Sequence, residues 1–341
     1  MEPKFTIQAA ERIAITRPNH MVGTAIARHL LRLGHPKSLL LIPNRAEQET
    51  PEQMAAFLER EQPEQVYVLA QTLHQVSGDV TANANERLRA LNHDLRTIEA
   101  AFRAGARKLL YVCDARCYPV SAAAPLAEED MGRGLHDPRR SLIGLAQYAA
   151  LHLCRTLSRQ YGGRLGLDYR GAVLCEVYGP GDQYVPPSGG GVPSQTVAAL
   201  IAQIHRATNQ RNLALSLHHR RHVDLLFVDD AADALVHVME LPAPALQCVA
   251  NRTFPHLNIG SSRAIDLAQL TRRVADAMGH HGPLQLRVSS VAPPPLPLLN
   301  SQRLRSLGWQ PLMELDYGLE LACMDFRLHH AQRMHLNDVS V

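Results

Sequence analysis

Three stretches of this sequence carry side chains able to hold a ligand or move a proton. The first is the turn Arg17-Pro18-Asn19-His20, between the apolar run Ile13-Ala14-Ile15 and a helical pattern with Val22, Ala25, Ile26, Leu30 and Leu31 on one side. A strand entering a helix through a short turn is the outline of a phosphate site, because the free N–H groups of a helix N-terminus attract anions. Glycines normally make room for the phosphate, and only Gly23 remains here. Arg17 and His20 either fill that space or offer their charge to some other anion. The second stretch, "CDARC", sets Asp114 and Arg116 between Cys113 and Cys117. The third, "HHRRHVD" from His218 to Asp224, reads in three ways. It can contact a polyphosphate or sugar nucleotide, or supply metal ligands from His218, His219, His222 and Asp224, or form a solvated basic loop, the favoured reading.

These groups need a scaffold to position them. Strand-like runs ("RIAIT", "SLLLIP", "QVYVLA", "KLLYVC", "YRGAVLCEVYG", "DLLFVDD") alternate with helical patterns through the first two-thirds of the chain. That alternation predicts an α/β fold with a parallel sheet covered on both faces. Leu88, Leu91, Leu95, Ile98 and Phe102 recur at spacings of three and four, as do Leu142, Leu145, Ala149, Leu153 and Leu157. Both segments are therefore helices with an apolar face to bury. The Gly- and Pro-rich stretch after Gly179-Pro180 reads as a lid-like loop, and "APPPLP" excludes helix or central strand near residue 293.

Composition narrows the class. The 341 residues are 46% hydrophobic and 20% charged, with a formal net charge of +3. Such a balance describes a soluble globular protein and argues against nucleic-acid or membrane partners. No early apolar run has the length of a signal peptide or membrane span, which points to the cytoplasm. The six cysteines lack paired C-x-x-C spacing, so they read as small core residues in a reducing compartment and not as a metal or disulfide set.

The order of landmarks "MVGTAIARHLL", "QVYVLA", "ARKLLYV…CYP", "SRQYG", "YRGAVLCEVYGPGD", "FVDDAADALVHVMEL", "LNIG" and "RLRSLGW" resembles the extended short-chain dehydrogenase/reductase superfamily, and within it the GDP-L-fucose synthase branch. The likeness runs from about residue 10 to about residue 325. It implies a Rossmann-type doubly wound parallel sheet with a smaller C-terminal α/β substrate lobe. The expected division is 1–180 plus about 222–255 for the Rossmann-like part, about 181–221 plus 256–328 for the lobe, and a polar tail at 329–341.

The same resemblance implies a G-x-x-G-x-x-G turn, whose positions here are Arg17, His20 and Gly23. It implies a Tyr-x-x-x-Lys pair, which falls on Ile143 and Gln147, and a serine, which falls on Asp114. The family's epimerising cysteine and histidine fall on Arg116 and Gln195. Arg45 matches an arginine that contacts the 2′-phosphate of NADP, or is a solvated loop residue. Substrate-side positions fall on Glu176, Val223, Phe227, Leu296 and Leu217-His218-His219. The pair Tyr148 and His152 repeats a Y-x-x-x-H spacing five residues on, rotated about 140° away from the cleft, and reads as helix interface.

Isoleucine and glutamine exchange no proton near neutral pH. With those positions replaced, the expectation is a non-catalytic relative with no cofactor. It would act as a scaffold, regulatory or partner subunit, homodimeric or paired with an active relative through helices at about 86–105 and 142–161. The alternatives are an NADP-dependent nucleotide-sugar epimerase/reductase with a rebuilt site, and a nucleotide-sugar sensor.

Overall fold

The computed structural model describes residues 11–71, 84–119, 122, 124–133, 142–182, 184, 197–207, 213–218, 222–249, 256–281, 284–289 and 298–338. The first strands are the buried apolar triplet β1 (Ile13–Ile15), the half-buried pair β2 (Leu40–Leu41) and the buried β3 (Gln65–Leu69). Helix α1 (Met21–Arg32) buries Val22, Ala25, Ile26 and Leu30 of the stripe read from its sequence, while Leu31 at its edge is exposed. Helix α2 (Pro51–Glu61) starts with Thr50 accepting from the Gln53 amide and Pro51 in its first turn, a strong N-terminal signal. Next come α3 (Ala84–Arg103), β4 (Lys108–Asp114), α4 (Leu142–Leu165), β5 (Asp168–Leu174) and β6 (Glu176–Tyr178).

The remainder runs α5 (Val197–Ala207), β7 (Leu213–His218), β8 (His222–Phe227), α6 (Val228–Glu240) and α7 (Ala243–Val249). It ends with β9 (His256–Ile259), β10 (Ala264–Asp266), α8 (Leu267–Ala277), β11 (Leu284–Ser289), α9 (Gln302–Ser306) and α10 (Leu315–Asp338).

The principal sheet has the order β2-β1-β3-β4-β5-β9 and is parallel throughout. This is the doubly wound architecture the alternation predicts. Its strand order reverses at β1, whose neighbours are β2 and β3, so a crevice opens beyond the carboxyl ends of β1 and β3. Buried Arg170 ties β5 to α6 by donating to the carbonyls of Val238 and Leu241 at the helix end.

Two smaller sheets, β10-β8-β6 and β11-β7, complete the chain. Two strands pair across the division expected from sequence. β9 (His256–Ile259), assigned to the lobe, is the sixth strand of the principal sheet, paired with β5. β8, assigned to the Rossmann-like part, pairs with β6 and β10. "YRGAVLCEVYG" is likewise two strands in two sheets, broken at Cys175. The stretch from His329, read as a polar tail, begins as helix, because α10 continues to Asp338.

The helical apolar faces are largely covered within the chain. Ile98 is fully buried, Leu95, Phe102, Leu153 and Leu157 pack partly against the core, and Phe102 meets Tyr161 with ring centroids 4.9 Å apart. On α4, Leu145 (43%) and Leu165 (48%) are exposed. Among the described residues no helix is long and apolar enough to cross a membrane.

Candidate active site

Two polar assemblies lie at the carboxyl ends of the parallel strands. The first is the turn after β1. A Cβ at Gly23 would overlap the carbonyl oxygen of Arg17, so the turn runs hard against α1 and only glycine fits there. Arg17 lays its guanidinium across the crevice, with Nη1 donating to the carbonyls of Ala70 (2.7 Å) and Gln71 (3.1 Å) just past β3. His20 is the N-cap of α1, and its Nδ1 accepts from the Val22 amide at 3.3 Å. Behind Arg17 sits Asp94, buried on α3, accepting from the Gln71 amide (3.0 Å) and the Tyr111 hydroxyl (2.8 Å). Burial raises the Asp94 carboxyl to about 6, against its hydrogen bonds and the charge of Arg17. Burial and that same charge lower His93 to about 4.

The second assembly surrounds the end of β4. Asp114 is fully buried and caps the one-turn helix that follows, accepting from the Arg116 amide at 3.0 Å. Arg116 folds back onto it in a two-pronged ion pair through Nε (2.8 Å) and Nη2. Gln147, one turn into the described part of α4, donates to the same carboxylate at 3.4 Å. Helix α4 is clamped here, because a Cβ at Gly144 would overlap the carbonyl oxygen of Arg116. Burial works to lower the Arg116 guanidinium, but the charge and hydrogen bonds of Asp114 outweigh it and leave it raised. Facing this pair from β6, Glu176 is half-buried. Its carboxyl is pushed up to about 8 by burial, then by Asp182 and Asp114, with Arg116 acting against the shift. The cluster thus pairs a fixed cation with a carboxyl that holds its proton at neutral pH.

Residues 15–260 match the family described as NAD dependent epimerase/dehydratase. The chain belongs to that family. It is 28% identical to GDP-L-fucose synthase of Escherichia coli (strain K12) over 311 residues, covering 91% of this chain and 94% of the relative. Among solved structures, it is similar to a GDP-D-glycero-L-gluco-heptose synthase from Campylobacter jejuni determined in the presence of NADPH. That match has a TM-score of 0.80 and 20% identity, and covers 94% of this chain and 99% of the other. A GDP-6-OMe-4-keto-L-xylo-heptose reductase from the same organism gives a TM-score of 0.79 at 20% identity, over 96% and 99%. At these identities the solved structures establish the shared fold.

Against this family the positions sort clearly. Asp114, Arg116 and Gln147 come together in one hydrogen-bonded group. Ile143 lies on the first turn of α4, and its side chain falls outside the described residues. Gln195, Leu296 and His219 lie outside the described residues, and Leu217 and His218 are placed only as backbone of β7. Val223 and Phe227 are buried, the latter edge-on to Tyr178 with ring centroids 5.6 Å apart, so they pack and do not face a ligand. Arg45 is exposed.

His222 is exposed while Asp224 is buried on Ser261, whose amide it accepts at 3.0 Å, so these two do not converge as ligands. Among the described residues no group of three or more His, Cys, Asp or Glu is placed to hold a metal. The sulfurs of Cys113 and Cys117 are 3.9 Å apart, unbonded and fully buried, and burial pushes the Cys113 thiol well up. Tyr148 is half-buried with His152 exposed beside it, ring centroids 6.2 Å apart.

The turn does not fit the diphosphate of a dinucleotide as arranged. The second turn position must let backbone approach the phosphates, and His20 puts an imidazole there that takes a helix N–H for itself.

Sequence reasoning placed Glu176 only among the substrate-side positions and missed the Asp94–Tyr111 support behind Arg17. Asp94 did leave a signal: it is a carboxylate between Leu91 and Leu95 on the apolar stripe of a helix, where burial demands a partner. The raised carboxyl of Glu176 left none, because burial and the approach of Asp114 and Arg116 arise only when β4 and β6 are brought together.

Proposed function

We propose that this chain is a nucleotide-sugar epimerase-type enzyme with a rebuilt acid–base site, acting on a GDP-linked keto sugar. The observation that carries the reading is Glu176, a carboxyl near pKa 8 set against the Arg116–Asp114 pair at the carboxyl end of the sheet. A general base tuned close to the working pH suits removal of a proton from carbon next to a carbonyl. In the proposed step, ionised Glu176 takes that proton, the C–H electrons move onto the carbonyl oxygen, and the enolate lies in the field of Arg116. Water then protonates the enolate carbon on the opposite face, which inverts the centre, and Glu176 gives its proton back to solvent. No hydride is needed, which accords with the closed turn. The names of the relatives support the substrate class, since they act on GDP sugars and one on a 4-keto form.

Two other readings each have one observation in their favour. The relatives support NADP-dependent reduction, with NADP as cofactor, because a neighbour of the same fold was solved with NADPH. The exposed Leu145 on α4 favours a partner or regulatory subunit docking through α3 and α4.

The test is NMR-monitored deuterium exchange into a 4-keto GDP-sugar in heavy water, without nucleotide cofactor. The proposal expects exchange at a carbon flanking the carbonyl, with a base limb near pH 8 and loss of about 100-fold or more in Glu176→Gln. No exchange by folded wild-type protein that binds the sugar nucleotide would remove the enzyme reading. Turnover only with added NADPH would transfer the weight to a reductase.

A further inference from the structure

The dinucleotide crevice of this chain is built shut by its own side chains. It lies where the strand order reverses, between β1 and β3, and Arg17 stands at the end of one strand while its two acceptors stand at the end of the other. The guanidinium therefore bridges the mouth of the crevice. Its charge is answered from behind by buried Asp94, which the Tyr111 hydroxyl and Gln71 amide hold in place. The cation is thus satisfied within the protein and is not a free anion hook.

One residue turn away, the helix end that would receive phosphate is capped by His20 through the Val22 amide. The backbone has kept the course of a dinucleotide turn, since Gly23 still allows the Arg17 carbonyl to lie against α1. Only the side chains at the first two turn positions have changed, and both have found internal partners.

We infer that Arg17 and His20 form a two-residue plug that excludes NADP(H) from an otherwise intact dinucleotide turn, and that replacing both with glycine opens it. The geometry assigns the two residues different tasks. Arg17 blocks the crevice between β1 and β3, and His20 occupies the Val22 N–H at the start of α1. Either change alone leaves the other obstruction, so the substitutions act together and not additively. This inference concerns the cofactor turn and stands apart from the acid–base reading of Glu176, which needs no dinucleotide.

The experiment titrates NADPH into wild type, Arg17→Gly, His20→Gly and the double variant, reading NADPH fluorescence enhancement and calorimetric heat. The expected result is no saturation by wild type or either single variant up to millimolar NADPH. The double variant should bind at least 10-fold more tightly than the limit set by wild type. Saturable wild-type binding below about 100 μM would overturn the inference whatever the variants do. A folded double variant, shown so by its circular dichroism and cooperative melting, that still ignores NADPH would overturn it too. Should the double variant fail to fold, Arg17→Ala with His20→Ala removes both side-chain obstructions with less added backbone freedom and carries the same expectation. Deuterium exchange into the sugar nucleotide, run on the same wild-type sample, separates failure of this inference from failure of the proposed function.

Discussion

Replacing Glu176 by glutamine removes the proton that the folded protein holds more tightly than the unfolded chain. The folded carboxyl sits at about 8 against an ordinary 4.5, pushed there by burial, Asp182 and Asp114 in that order. Between those values the native state keeps the proton and the unfolded state has lost it. Stability therefore falls as pH rises from about 4.5 to about 8, and this contribution is level above that.

The full shift corresponds to an upper bound of ~5 kcal/mol at about 1.4 kcal/mol per unit. Glu176 is half-buried and Arg116 lies nearby, so water and that cation reduce the effective figure to about 2 kcal/mol. Unfolding entropy of about 2 cal/mol/K per residue gives roughly 0.7 kcal/mol per degree for a chain of this length, so the effect is ~3 °C. The assay is thermal melting of wild type and Glu176→Gln from pH 5 to pH 9.5. The difference between the two proteins cancels groups they share, Asp94 among them. Near pH 5 the two should melt within about a degree of each other, and at pH 9 the variant should melt about 3 °C higher. A difference that stays flat across the range would refute both the raised carboxyl and the acid–base role built on it.

Arg116→Gln leaves the fully buried Asp114 carboxylate without its cation and should cost about 3–5 kcal/mol, read by denaturant unfolding. Adding Asp114→Asn should restore most of that loss, since the charge to be neutralised is gone. Gly144→Ala places a methyl on the Arg116 carbonyl, a backbone atom with no freedom to give, and should lower the melting temperature by several degrees or leave the protein insoluble. Gly23→Ala makes the same collision with the Arg17 carbonyl and should behave alike. Ile143→Tyr with Gln147→Lys should not produce NADPH oxidation while Arg17 and His20 remain. NADPH consumption by that double variant would show that the turn admits the dinucleotide.

The scaffold was legible because its signals are local and periodic. The stripes of α1 and α3, the caps of α2, and the alternation of apolar runs with helices each follow from residues a few positions apart. Strand pairing between sheets left no such local signal. β9 and "YRGAVLCEVYG" look alike as apolar runs, and nothing within a strand records which edge it joins. The site was half legible for the same reason. Asp114 and Arg116 are two residues apart and their pairing is short-range, whereas Glu176 gains its shifted pKa first from burial and then from Asp182 and Asp114, which only the folded chain brings to it. The turn at Arg17 was legible as a loss of glycine, but not as a bridge to Ala70 and Gln71.

The pattern of retained and replaced glycines separates two demands on the same motif. Gly23 and Gly144 stand where a methyl would strike backbone, so their loss would move α1 and α4 off the sheet. The turn positions at Arg17 and His20 sit at the mouth of the crevice, where a side chain displaces only a ligand, and there both side chains are bonded into the protein. A chain drifting free of any role would lose glycines of both kinds with equal ease, and would leave its introduced charges unpaired. Here Arg17 has Asp94 behind it and Arg116 has Asp114 beneath it. On the proposed reading, the crevice keeps the family's frame, places its charges at the carboxyl end of β4 and β6, and closes its dinucleotide end through Arg17 and His20.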